Sequence, residues 1–104
     1  MGIFLKDIEL KGKTALITGA TKGLGRGAAK AIAQVGGNII AVGRNQSELV
    51  SLGKELKKFK VNYISFNCDV NDYEKLKSFI SKLKKIDILV NNAGTNLPES
   101  FLNV

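Results

Sequence analysis

The chain has 104 residues, 44% hydrophobic and 24% charged, which suits one globular domain and is too little for a two-domain enzyme. Sixteen Lys and Arg stand against nine Asp and Glu, a formal charge of +7, with no histidine and one cysteine, Cys68. Those counts exclude a Ser-His-Asp triad, a Cys-His dyad, His-based or multi-cysteine metal sites and an internal disulfide, and no apolar run approaches the ~18 residues of a membrane span.

Residues 1–10 read as a soluble leader, because Ile3-Phe4-Leu5 is too short an apolar stretch for a signal peptide. Thr14–Thr18 is a short apolar run ending at Gly19, the pattern of a buried strand. Leu24, Ala28, Ala31, Ile32 and Val35 then recur at helical spacing and stop at Gly36-Gly37. A second apolar strand follows over Asn38–Val42. Asn45-Gln46-Ser47-Glu48 has the form of a capping box, and Leu49, Leu52, Leu56 and Phe59 carry a helix onward, weakened by Gly53 in its interior. Val61–Phe66 is β-branched and aromatic enough for a third strand. Asn71-Asp72-Tyr73-Glu74 repeats the capping pattern ahead of a helix from Asn71 to Lys85, with Leu76, Phe79, Ile80 and Leu83 on one face. Ile86–Val90 is the fourth strand.

Strands that are apolar on both faces and alternate with helices predict an α/β fold: a parallel sheet covered on both sides. Right-handed crossovers give a Rossmann-type doubly wound sheet in the order 3-2-1-4. The lysines at 54, 57, 58 and 60, and at 75, 77, 82, 84 and 85, fall on the polar faces and ends of the later helices. They read as solvated surface. Net charge without a basic-aromatic recognition module does not indicate a nucleic-acid binder.

The chemistry concentrates in the turn Thr18-Gly19-Ala20-Thr21-Lys22-Gly23-Leu24-Gly25. A helix starting at the carboxyl end of a parallel strand points free N–H groups into the crevice there, and its partial positive charge suits a phosphate. Gly19 would make the turn, Gly23 would admit the phosphate close to the backbone, and Gly25 would bring the helix near the strand. The spacing does not fit a P-loop.

This Gly-x-x-x-Gly-x-Gly turn resembles the cofactor turn of the short-chain dehydrogenase/reductase family. Asn91-Asn92-Ala93-Gly94 after the fourth strand is similar to that family's second motif, and Cys68-Asp69-Val70 resembles its adenine-side segment. The likeness runs from about Lys11 to the end, nearest to the oxoacyl-reductase-like or polyol-dehydrogenase-like classical members. It implies that 11–104 is part of an NAD(P)-binding Rossmann domain. It also implies that Gly19, Gly23, Leu24 and Gly25 line the pyrophosphate and ribose, while Asp69 and Val70 flank the adenine. Asn91, Ala93 and Gly94 are then expected to contact the cofactor and brace the central strands.

Charge predicts NADP over NAD. NAD-binding folds usually carry a carboxylate at the end of the second strand for the ribose 2′-hydroxyl. Here Gly43-Arg44-Asn45 supplies a guanidinium suited to a 2′-phosphate, Lys22 adds a second cation, and Thr21 offers a hydroxyl.

Carbonyl reduction needs an acid beside the carbonyl oxygen. In the resembling family this is the Tyr of a Tyr-x-x-x-Lys pair downstream of the second motif, and residues 95–104 contain neither Tyr nor Lys. Tyr73 and Lys77 satisfy the string, but at the start of the third helix, ahead of the fourth strand and expected to lie away from the carboxyl ends of the strands. No catalytic residue and no metal ligand is therefore assigned. The length reads as a truncation, leaving the fourth strand as a sheet edge and the chain marginally stable until NADP(H) binds.

The expected function is the NADP(H)-binding N-terminal portion of a cytoplasmic oxidoreductase that transfers hydride between nicotinamide and an alcohol or ketone. Its partner is a small-molecule substrate, not nucleic acid or membrane, and a homo-oligomer is left open. The alternative is a non-catalytic dinucleotide-binding or sensor module.

Overall fold

A computed structural model describes residues 9–92. Four parallel strands, β1 (Thr14–Thr18), β2 (Asn38–Gly43), β3 (Tyr63–Asn67) and β4 (Ile88–Asn91), form one sheet in the order β3-β2-β1-β4, as the alternating pattern predicts. Between them lie α1 (Gly23–Gln34), α2 (Gln46–Leu56) and α3 (Tyr73–Ser81).

Alternation along the strands builds two cores from one sheet. Ala15, Ile17, Ile39 and Ala41 face α1 and α2, meeting Ala29, Ala33, Leu49, Leu52 and Leu56. Leu16, Ile40 and Val42 face the other way, against Leu76 and Ile80 of α3. Burying a side chain such as Leu16 or Ile17 fully contributes about 1.5–3 kcal/mol relative to leaving it in water, so the two central strands anchor the fold.

The outer strands are less covered than the central ones, as expected for β4 at the sheet edge but not for β3. β1 and β2 are buried on both faces, but Ile64 and Ser65 of β3 and Leu89 of β4 are exposed. An edge residue has a strand neighbour on one side only, so an apolar sequence does not ensure cover. Phe66 gains cover by stacking on Phe79 of α3, with ring centroids 4.1 Å apart. Among the described residues β4 pairs with β1 alone.

Helix boundaries and faces shift for identifiable reasons. α1 buries Gly25, Ala29 and Ala33, one position round from the expected stripe, and leaves Leu24 exposed. Small residues at four-residue spacing let it lie close to the small sheet residues Ala15 and Ala41. α2 ends at Leu56 and passes through a single 3-10 turn, Lys57–Phe59, because Lys60 adopts a left-handed φ of 57°. The third strand starts at Tyr63 rather than Val61, since the Asn62 N–H is taken by the Asn38 side chain at 2.9 Å. α3 spans nine residues, not fifteen, and its cap is Asp72 rather than Asn71, accepting from the Lys75 N–H at 3.2 Å.

Gly53 has a packing reason inside α2. A Cβ there would sit 2.8 Å from the Tyr63 ring, whose hydroxyl donates to the Leu49 carbonyl at 2.7 Å. Burial pushes the Tyr63 phenol up to about 12. The lysines expected as solvated surface are all exposed.

Candidate functional site

The site lies where the sheet changes direction. β1 runs between β2 and β4, and the loops leaving β1 and β2 serve one face while the loop leaving β3 serves the other. Such a reversal opens a crevice beyond the carboxyl ends of the strands. A cavity of about 560 Å³ lies beside it, beyond the carboxyl ends of β1, β2 and β3.

Three segments line this cavity. From the glycine-rich turn come Gly19, Thr21 and Lys22; from the end of β2 and the start of α2 come Gly43, Arg44, Asn45 and Glu48. After β3 come Cys68, Asp69, Val70 and Asn71. Sequence reading singled out Gly19, Thr21, Lys22, Arg44, Asp69 and Val70, and all six meet here. Gly23, Leu24 and Gly25 form the adjoining first turn of α1 and do not line the cavity. Ala93 and Gly94 lie outside the described residues.

The turn is built by backbone requirements. Gly19 and Gly23 have φ of 62° and 53°, a region that disfavours any side chain. At Gly25 a Cβ would run into the Gly19 carbonyl and approach the Asn92 amide to 2.8 Å. Gly25 therefore fixes how close α1 lies to the end of β1. Arg26 braces the same turn: its guanidinium donates to the Thr21 carbonyl at 3.0 Å, to Ser51 at 3.1 Å and to Glu55 at 2.9 Å. The Arg26 guanidinium, then Lys30, holds the Glu55 carboxyl below its usual range.

α1 differs from the other helices at its start. Lys22 occupies the N-cap with an extended backbone and makes no side-chain cap bond, and no acidic residue follows in the first turn. α2 is capped by Asn45, whose Oδ1 accepts from the Glu48 N–H at 3.1 Å. The first turn of α1 thus keeps its positive end for an acceptor other than its own cap.

The two asparagines at the end of β4 tie the crevice together. Asn91 Oδ1 accepts from the buried Thr18 hydroxyl at 2.9 Å, bridging β4 to β1. Asn92, to which the sequence assigns no separate role within the motif, donates to the Gly19 carbonyl at 3.2 Å. The adjacent identical side chains offered no signal for dividing those roles. Glu48, Asn45, Cys68 and Asn71 also line the cavity, without a cofactor role assigned to them from sequence. Glu48 reads in sequence as a capping residue, yet its carboxylate reaches Lys22 at 3.6 Å. Arg44 pairs with Asp69, also at 3.6 Å. Burial pushes the Cys68 thiol up, which argues against a reactive thiolate.

Tyr73 and Lys77 need one correction. α3 starts just after β3, so its first turn does stand on the carboxyl side of the sheet, contrary to expectation. Neither residue lines the cavity, however. Among the described residues no cluster of His, Cys, Asp or Glu is arranged to hold a metal, and no helix is long and apolar enough to cross a membrane.

Comparison with known proteins agrees with this architecture. A family model for short chain dehydrogenase matches residues 13–104. The 3-oxoacyl-(acyl-carrier-protein) reductase of Rickettsia conorii is 45% identical over 87 residues, 84% of this chain and 35% of that protein. L-Sorbose reductase from Gluconobacter frateurii, solved with NADPH and L-sorbose, superposes with a TM-score of 0.78 at 35% identity, covering 89% of this chain and 37% of that one. Carveol dehydrogenase from Mycobacterium avium, solved with NAD, gives 0.76 at 30% identity, covering 86% and 38%. The chain thus spans little more than a third of the length of these relatives. With strand order, glycine-rich turn and family model in agreement, the chain belongs to the short-chain dehydrogenase family.

Proposed function

We propose that residues 11–104 form the nucleotide-binding part of an NADP(H)-dependent oxidoreductase acting on an alcohol or ketone, with 1–10 as a leader. The observation that carries this reading is the cavity itself: two cations, Lys22 and Arg44, line one space beside the uncapped start of α1. Gly19, Gly23, Leu24 and Gly25 would border the pyrophosphate and its ribose. Asp69 would meet the adenine by its side chain and Val70 by its backbone amide. Thr21, Lys22 and Arg44 would hold the 2′-phosphate, the guanidinium in a bidentate manner. Asn91, with Ala93 and Gly94, would contact the cofactor and brace the central strands.

When bound, the nicotinamide supplies or accepts the hydride. This chain's own residues bind and orient it, and none is assigned to the chemical step. A small-molecule substrate is the partner of the whole protein, and self-association belongs to the same reading. The buried, unpaired Cys68 supports a reducing cytoplasmic setting.

Titration of NADPH and NADH against the protein and its Arg44→Asp variant tests the cofactor. The wild type is expected to favour NADPH. The variant should lose roughly ten- to hundredfold in NADPH affinity, the range for a hydrogen bond to a charged group, with little change for NADH. Equal losses for both cofactors would remove Arg44 from the 2′-phosphate site.

A further inference from the structure

We propose that Glu48 sets how strongly this cavity distinguishes a 2′-phosphorylated dinucleotide from one with a free 2′-hydroxyl, acting through Lys22; the inference rests on the cofactor reading above. A count of cations alone describes a strongly phosphate-selective pocket. The geometry describes a balanced one. Lys22 lies 3.6 Å from Glu48 and Arg44 lies 3.6 Å from Asp69, and all four residues line the same cavity. Two positive charges are therefore matched by two negative ones.

The two members of the Lys22–Glu48 pair are not equally placed. The Lys22 side chain is 80% exposed, whereas that of Glu48 is 26% exposed and stands on a helix start fixed by Asn45. A phosphate recruiting Lys22 must take the ammonium away from Glu48 and then face a carboxylate that stays near it. A 2′-hydroxyl recruits no cation and incurs neither penalty. Glu48 thus lowers affinity for the phosphorylated cofactor selectively, at a position outside the end of the second strand where carboxylates ordinarily reject the 2′-phosphate.

The test compares NADPH and NADH affinities for wild type, E48Q, K22Q and the K22Q/E48Q double variant, with thermal stability measured alongside. Gln keeps the shape of the side chain, and the Asn45 cap uses the backbone N–H of residue 48, so E48Q should fold, with only the small drop in melting that loss of an exposed ion pair brings. It should raise the NADPH-over-NADH preference by about two- to fivefold, the range of an exposed ion pair. In the K22Q background the same change should have a smaller effect on the ratio, because the ion-pair penalty is gone and only the carboxylate facing the phosphate remains. An E48Q ratio equal to wild type, a parallel loss for both cofactors, or an undiminished effect without Lys22 would each overturn the proposal while leaving the cofactor reading in place. Failure of the wild type to bind either dinucleotide would overturn the cofactor reading, and this inference with it.

Discussion

α1 and α2 begin beside the same cavity, but their first turns are finished in opposite ways. α2 supplies its own acceptor: Asn45 takes the Glu48 N–H, and Ser47 donates to the same side-chain oxygen at 2.7 Å. α3 does likewise with Asp72. α1 has no side-chain cap and carries Gly23 and Gly25 in its first turn instead, with Gly19 in the turn before it. Where a helix start is completed by its own chain, it serves construction. Where the chain leaves it open and strips away side chains, room and positive potential remain for an external anion.

The contrast can be broken first at Gly25. Gly25→Ala puts a methyl group into the Gly19 carbonyl, and α1 must move away from β1. Overpacking of this kind costs about 1–3 kcal/mol, and the displaced turn should bind NADPH poorly or not at all. Urea unfolding and NADPH titration check both effects. Wild-type stability together with wild-type affinity would show that the close approach is dispensable.

A smaller effect is expected at the self-completed helix. Asn45→Ala removes the α2 cap and should lower stability by about 0.5–2 kcal/mol, read from the urea midpoint. An unchanged midpoint would erase the distinction between the two helix starts.

The smallest effect concerns a backbone donor satisfied by a carboxylate at the opposite end of the sheet. Asp87 accepts the Thr14 N–H at 2.9 Å, and its own N–H donates to the Thr14 carbonyl at 2.8 Å. That backbone bond, with Lys85 nearby, holds the Asp87 carboxyl below its ordinary value. A lowered folded pKa adds stability that is fully present above the ordinary carboxylate value of about 3.9 and disappears as pH falls through the lower folded value. Asp87→Asn should therefore melt lower than wild type at neutral pH, with the gap closing in acid. Melting curves across the acid range would count against this if the gap stayed constant.

What could be read from the sequence follows from what each pattern encodes. Strand order was legible because alternating apolar runs and helices admit few right-handed arrangements. The glycine-rich turn was legible because backbone constraints leave a visible residue type at Gly19, Gly23 and Gly25. The ion pairs were not. Lys22 and Glu48 are 26 positions apart by number, and nothing in either segment indicates that their ends meet. The stripe of α1 was misplaced because Gly25 and the alanines pack by being small, which hydrophobic spacing alone undervalues. Residues at an edge strand carry the same sequence signature as central ones, so the exposure of Ile64 had no local sign.

The Tyr63 ring over Gly53 has a consequence for strand alignment. β3 is an edge strand with exposed residues, the kind of strand whose pairing can slide. Its ring fits only where α2 lacks a side chain, and its hydroxyl finds the Leu49 carbonyl only from that place. A slip of one residue would turn Tyr63 to the opposite face, and a slip of two would carry it past the gap. Gly53 and Tyr63 act together as a detent, indexing the outer strand against a helix instead of against its neighbour in the sheet. Because burial raises the phenol to about 12, its donated bond should persist past the pH near 10 at which an exposed tyrosine ionises.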